Sequence, residues 1–139
     1  MNNQNLQQIN LKSLIRTVPD FPKPGIQFKD ITPVLRNPTS FKSAIDQMTS
    51  PFDKTSIDTV VAIEARGYLL GAGIALKIGS GIVPVRKPNK LPWLTFEESY
   101  ELEYGSETLQ IHQDAIAKGD NVCLLYTSDA DDERSSVDL

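Results

Sequence analysis

The stretch TVVAIEARGYLLGAGIALKIGSGIVPVRKPNKLP, residues 59–92, decides the fold. An apolar, strand-like run from Val60 to Ile63 stops abruptly at Glu64-Ala65-Arg66-Gly67. A small-residue helical stretch follows from Tyr68 to Ile78, and a second apolar run, Ile82 to Val85, ends in Arg86-Lys87. Strand, helix and strand within about thirty residues define a βαβ unit and predict an α/β fold with a parallel sheet. In such sheets, residues at the carboxyl ends of the strands face the ligand crevice. Both strands here end in guanidinium or ammonium groups, so the expected ligand is an anion.

The rest of the 139-residue chain narrows the class. Its formal charge of −4 comes from the last thirteen residues, which hold Asp129, Asp131, Asp132, Glu133 and Asp138 against Arg134. The remainder balances at 13 acids and 13 bases, so the acidity carries no information about partners. No basic stripe points to nucleic acid, and no apolar run approaches the ~20 residues of a membrane span. No signal peptide is expected at the start. A lone cysteine, Cys123, excludes an internal disulfide and fits a reducing compartment, which makes the expected location cytoplasmic.

Outside the βαβ unit, Leu6, Ile9, Leu14 and Ile15 form a loose helical stripe up to Arg16. Residues 19–33, PDFPKPGIQFKDITP, read as a stiff, irregular loop of the kind that carries function. Asn37-Pro38 suits a helix cap and first helical position. Phe41, Ala44, Ile45 and Met48 then recur at the spacing of an amphipathic helix. Residues 96–104 and 106–112 read as two β segments around Gly105, with Leu109 and Ile111 alternating against Thr108, Gln110 and His112. His112, on the polar side of that strand, reads as an exposed imidazole without a role. Gly119-Asp120 reads as a turn, and Val122 opens another apolar run.

Four separated segments, taken in order, resemble the adenine phosphoribosyltransferase family of the type I phosphoribosyltransferase fold. They are PDFPKPGIQFKDITPVL (19–35), VVAIEARGYLLGAGIA (60–75), VPVRKPNKLP (83–92) and SYELEYGSETLQIHQDAI (99–116). The resemblance implies a parallel sheet flanked by helices, an N-terminal hood region and a domain over 1–126. Within that domain it marks 19–33 as a base-recognition loop and 96–112 as a mobile β-hairpin loop. It also implies transfer of adenine to the ribose of phosphoribosyl pyrophosphate, giving AMP and pyrophosphate in purine salvage. The implied cofactor is Mg²⁺, carried mainly by the substrate pyrophosphate, with no protein metal ligand. The implied partners are these two small molecules and a second copy of the chain in the intact protein.

Carried onto this sequence, the resemblance gives Arg66 and Gly67 to a pyrophosphate-binding loop, in which an unusual cis bond is common in the family. Gly67 would admit close backbone approach at a helix start, where free amides favour anions. Arg86, Lys87 and Lys90 correspond to the family's second cationic segment, which contributes to the same pyrophosphate. Phe28 corresponds to the aromatic that stacks on adenine; base identity would come from main-chain groups around Ile26 and Gln27. Glu103 and Tyr104 lie in the closing loop, Glu103 as the general acid/base and Tyr104 as a wall against solvent. On pattern alone, Arg86-Lys87 would read as a basic surface loop, and Glu97, Glu101 and Glu103 as the exposed side of a strand.

The sequence departs from the family at about residue 123, where CLLYTSDADDERSSVDL replaces an Asp-Asp pair and a glycine-rich phosphate loop. No glycine follows Gly119, and a nest of amides around a phosphate is hard to build without one. Residues 127–139 read as a non-family, disordered acidic tail, and the sheet is expected to lack its final elements. The alternative reading is a non-catalytic, purine-nucleotide-sensing regulatory module. Residues 1–18 are too short for the DNA-binding domain that such a protein would need. The chain as written, mixed with adenine, phosphoribosyl pyrophosphate and magnesium, is expected to form no AMP above background. Steady-state turnover in that assay would refute the reading of its last residues.

Overall fold

The computed structural model describes residues 9–52 and 54–125. The loose helical stripe expected before Arg16 lies partly outside these residues, and the acidic tail 127–139 lies wholly outside them. The chain divides into two compact units, Met1–Ser50 and Pro51–Leu139.

Among the described residues of the expected helical stripe, the helical element is a 3₁₀ turn at Leu11–Leu14. The chain then enters a strand, β1, Arg16–Pro19. β1 pairs antiparallel with β2, Gln27–Asp30, in a register that sets Val18 opposite Phe28. The loop 19–33 is therefore half a hairpin. Two of its four prolines, Pro22 and Pro24, lie in the connection, where Asp20 at φ +53° accepts a 2.8 Å hydrogen bond from the Gly25 N–H. The Asp30 carboxylate closes the hairpin by accepting from Arg16 Nε at 3.0 Å and Nη2 at 2.6 Å.

A short helix, α1 (Thr32–Arg36), precedes α2, Pro38–Thr49. Asn37 caps α2 as the sequence predicts, its Oδ1 accepting from the Thr39 and Ser40 amides at 2.9 and 3.1 Å. The apolar spacing holds, with a difference in depth. Ala44 and Ile45 are buried, whereas Phe41 and Met48 are half-buried. Ser40 and Thr49 complete the buried stripe because their hydroxyls donate to the carbonyls of Val34 and Ile45.

The second unit is built on the expected βαβ. β3 (Thr59–Ile63), α3 (Arg66–Ile78) and β4 (Gly81–Val85) follow in order, and β3 pairs parallel with β4. Val60, Val61 and Ala62 are buried because β3 lies in the middle, with β4 on one side and β7 on the other. β7, Val122–Leu125, is also parallel to β3, with Val60 opposite Cys123 and Ala62 opposite Leu125. The first residues of the departing stretch, 123–125, thus belong to the sheet. Helix α3 comes very close to this sheet. A Cβ on Gly71 would lie 2.9 Å from Ala62 Cβ and 3.3 Å from Ile82 Cδ1. The helix ends at Gly79, whose φ of +75° suits a residue without Cβ.

The two β segments around Gly105 are β5 (Thr95–Glu101) and β6 (Ser106–His112), paired antiparallel. Polar cross-strand pairs lace them. Ser99 meets Thr108 at 2.7 Å, Tyr100 Oη donates to Glu107 at 2.9 Å, and Gln110 Nε2 donates to Glu97 at 2.9 Å. The first segment ends at Glu101, earlier than expected, so residues 102–104 form the turn. His112 departs from the sequence reading as well. It is half-buried at the base of the hairpin opposite Thr95, and its buried Nε2 has no hydrogen-bond partner among the described residues. Half-burial along the whole of β6 beyond Ser106, whichever way a side chain points, accounts for the difference.

Two outcomes follow from this packing. Gly71→Ala forces α3 off the sheet and is expected to cost about 1–3 kcal/mol, read as a lower denaturant midpoint at unchanged slope. The Asp30 carboxyl is held down to about 2 by the Thr32 hydroxyl, the Thr32 amide and the Arg16 guanidinium. Because the folded value is depressed, the contribution of Asp30 is complete above the ordinary value of 3.8 and is lost as pH falls towards 2. An NMR titration of the Asp30 carboxyl should have its midpoint near 2; a midpoint near 3.8 would mean that these contacts are not kept in solution.

Candidate anion-binding site

The carboxyl ends of β3 and β4 lie side by side, Ile63 opposite Val85, so the residues that follow each strand emerge together. After β3 the chain passes through Glu64 and Ala65 into the first turn of α3, which begins at Arg66 and Gly67. The Glu64–Ala65 peptide is cis. After β4 come Arg86, Lys87, Pro88, Asn89 and Lys90, a bend in which Asn89 takes φ +67°. Gly67 is buried, and a Cβ there would meet the Leu125 carbonyl oxygen at 3.5 Å and Ala62 carbon at 3.7 Å.

Glu64 joins the two ends. Its Oε2 accepts from Arg86 Nε at 3.1 Å, and its Oε1 accepts from Lys90 Nζ at 3.2 Å. The Lys87 main-chain amide also favours the charged form of this carboxylate. Burial alone would raise the Glu64 pKa, but Lys90, Arg86 and the Lys87 amide outweigh it and hold the carboxyl below its ordinary range. Arg86 Nη1 also donates to the Lys90 carbonyl at 3.2 Å. The Tyr68 hydroxyl, from the first turns of α3, donates to the Val85 carbonyl at 3.0 Å. That carbonyl also accepts the Glu64 N–H at 3.1 Å. Burial, followed by the Glu64 charge, raises the Tyr68 pKa, so the hydroxyl stays protonated and able to donate.

The hairpin is fastened to the same segment. Arg86 and Gln110 exchange backbone hydrogen bonds of 3.0 and 2.7 Å, the Asn89 N–H donates to Gln110 Oε1 at 3.1 Å, and Lys87 Nζ lies 4.0 Å from Glu107. Glu103 and Tyr104 sit in the turn beyond the end of β5, and Tyr104 is 88 % exposed.

Arg66, Gly67, Arg86, Lys87 and Lys90 thus gather at one end of one sheet, and Glu103 and Tyr104 occupy the tip of the hairpin attached to it. Ile26, Gln27 and Phe28 belong to the first unit. There the Phe28 ring meets Phe21 edge-on, centroids 5.1 Å apart at 74°. The Ile26 N–H donates to the Lys23 carbonyl at 3.3 Å, and its own carbonyl accepts the Phe21 N–H at 3.2 Å. A surface pocket of about 470 Å³ in this unit is lined by Arg16, Thr32, Pro33, Arg36, Asn37 and Pro38, and none of the three base-loop residues lines it. Among the described residues, no three His, Cys, Asp or Glu side chains gather to hold a metal ion, and no helix is long and apolar enough to cross a membrane.

Glu64 and Tyr68 are the functional-site residues that sequence reasoning passed over. Glu64 stood inside the quoted loop without a role, and an acid beside an arginine gives no sign of reaching across to the next strand's cations. The spacing of Tyr68 from a strand end seventeen residues later is equally silent until the parallel register is known.

A β–α–β unit with cations clustered at the carboxyl ends of its parallel strands defines an α/β protein whose charged groups lie where such sheets place their ligand crevice. Comparison with known proteins narrows the class. No family model matches the chain. The chain is 55% identical over 118 residues to the adenine phosphoribosyltransferase of Thermotoga maritima, covering 85% of this chain and 68% of the relative. The crystal structure of adenine phosphoribosyltransferase from Rhodothermus marinus aligns with a TM-score of 0.80 at 53% identity, over 84% of this chain and 66% of that one. The Saccharomyces cerevisiae enzyme, complexed with an imino-altritol bisphosphate and adenine, aligns with a TM-score of 0.76 at 42% identity, over 82% and 67%. The chain belongs to the adenine phosphoribosyltransferase family and spans about two thirds of the length of these relatives.

Tyr68→Phe removes one hydrogen bond to a carbonyl that keeps its Glu64 partner. The expected loss is about 1 kcal/mol of stability for the second unit, measured by urea unfolding. No change in the unfolding midpoint would mean that the Tyr68 hydroxyl does not hold the strand end.

Proposed function

We propose that the protein to which this chain corresponds transfers a phosphoribosyl group to adenine, forming AMP and releasing pyrophosphate. The observation that carries the reading is the cation set at the sheet's carboxyl end. Arg86 and Lys90 are fixed on Glu64 beside the helix start at Arg66 and Gly67. Its chemistry suits a group with many negative oxygens. Arginine offers a planar fork for phosphate oxygens, lysine a compact charge, and an α-helix start its free amides.

In such a transfer, the bond from the anomeric carbon to pyrophosphate breaks as the purine nitrogen arrives. Negative charge then builds on the departing oxygens. Arg66, Arg86, Lys87 and Lys90 hold that group and stabilise the developing charge. Phe28 supplies a stacking face for the base, and main-chain groups at Ile26 and Gln27 read its edge. Glu103 handles the purine proton, while Tyr104 covers the site and keeps water from the reactive sugar. A magnesium ion would arrive on the substrate's diphosphate and neutralise part of its charge. The enzyme is read as a cytoplasmic homodimer acting in purine salvage.

Ligand-dependent melting of the full chain tests this reading. Adenine is expected to raise the unfolding midpoint and guanine to leave it unchanged. Phe28→Ala is expected to weaken adenine binding roughly 5- to 150-fold, the range of a lost stacking contact. Equal protection by both bases, or adenine binding untouched in Phe28→Ala, would refute the assignment of the base loop.

A further inference from the structure

Beyond its backbone bridge to Gln110, the Arg86–Lys90 segment has no regular secondary structure, yet two of its side chains converge on one acceptor. Arg86 Nε and Lys90 Nζ both donate to the Glu64 carboxylate. That carboxylate is the enclosed member of the group. Its side chain is 10% exposed, against 36% for Arg86 and 47% for Lys90. The cations therefore face solvent while their shared counter-charge lies beneath them. Arg86 is engaged through Nε and, by Nη1, through the Lys90 carbonyl. A guanidinium has five N–H donors and an ammonium three, so both groups keep donors for an incoming anion.

Two opposed effects are possible for an acid placed there. Its negative charge repels the ligand, and its hydrogen bonds preorganise the ligand's partners. The depth of Glu64 decides between them. Solvent at the outer side of the cations screens the repulsion, whereas two long side chains and a bent backbone would otherwise lose considerable conformational freedom on binding. We propose that Glu64 is a positioning residue, which holds Arg86 and Lys90 as a preformed clamp for a diphosphate. This deepens the pyrophosphate reading above and rests on it.

The test is calorimetric titration of inorganic pyrophosphate into the full chain and three variants, with thermal unfolding recorded alongside. Arg86→Gln should weaken binding at least tenfold. Glu64→Ala, which leaves the clamp unsupported, should weaken it about tenfold, or about 1.4 kcal/mol. Glu64→Gln keeps one acceptor oxygen and removes the repelling charge, so it should stay within about threefold of the parent. Tighter binding by Glu64→Ala than by the parent, with Arg86→Gln impaired, would overturn the positioning role and make Glu64 a competitor for the cations. Parent-like binding by Arg86→Gln would overturn the pyrophosphate site and this inference with it. If Glu64→Ala fails to fold, Glu64→Asp takes its place. It keeps the charge but shortens the reach, so weakened binding supports the positioning role and unchanged binding refutes it.

Discussion

A carboxylate that retains a tenth of its exposure must find partners, and Glu64 finds them on the neighbouring strand rather than its own. That choice ties the loop after β3 to the bend after β4. Without it, the parallel pairing and the Gln110 bridge would still place the backbone at Val85 and Arg86, but the Arg86 and Lys90 side chains would lose their shared acceptor. The arrangement depends in turn on the close seat of α3. Gly67 and Gly71 let the helix lie against Ala62, which starts the helix where the strand ends and brings the Tyr68 hydroxyl within 3.0 Å of the Val85 carbonyl. Small residues in the helix and one enclosed acid in the loop are thus parts of the same device. One sets the distance between layers, and the other sets the direction of the charges.

The parts of this fold that could be read from the sequence are those governed by local periodicity. Val60 to Ile63 are apolar because β3 is the buried middle strand, and Ile82 to Val85 carry the same pattern although β4 is an edge strand whose burial increases only towards Val85. Phe41, Ala44, Ile45 and Met48 keep helical spacing because α2 presents one side to a core. Asn37 reads as a cap for the same local reason. The N-terminal stripe misled because apolar spacing over a few residues does not distinguish a 3₁₀ turn followed by a strand from a helix. β2 was hidden by its neighbours. Gln27–Asp30 is four residues long, sits behind Pro22, Pro24 and Gly25, and gains strand geometry from β1, not from its own composition.

The candidate site divided in the same way. Arg66, Arg86 and Lys87 stood out because charge at the end of an apolar run is conspicuous, whereas Lys90 came only with the family resemblance. Glu64 did not stand out, since its role lies in contacts across 22 and 26 residues of sequence. His112 was misjudged from strand alternation alone, a pattern that assumes one wet face; β6 is half-covered on both.

The double backbone bridge between Arg86 and Gln110 also constrains how the hairpin can move. It acts as a weld at the foot of a lever, reinforced by the Gln110–Glu97 rung and by the Asn89 amide on the Gln110 side chain. Any swing of the tip that leaves Arg86 undisturbed must be taken up by bending beyond that rung, between residues 98 and 109. A swing of the whole hairpin would instead drag a guanidinium out of register with its acid.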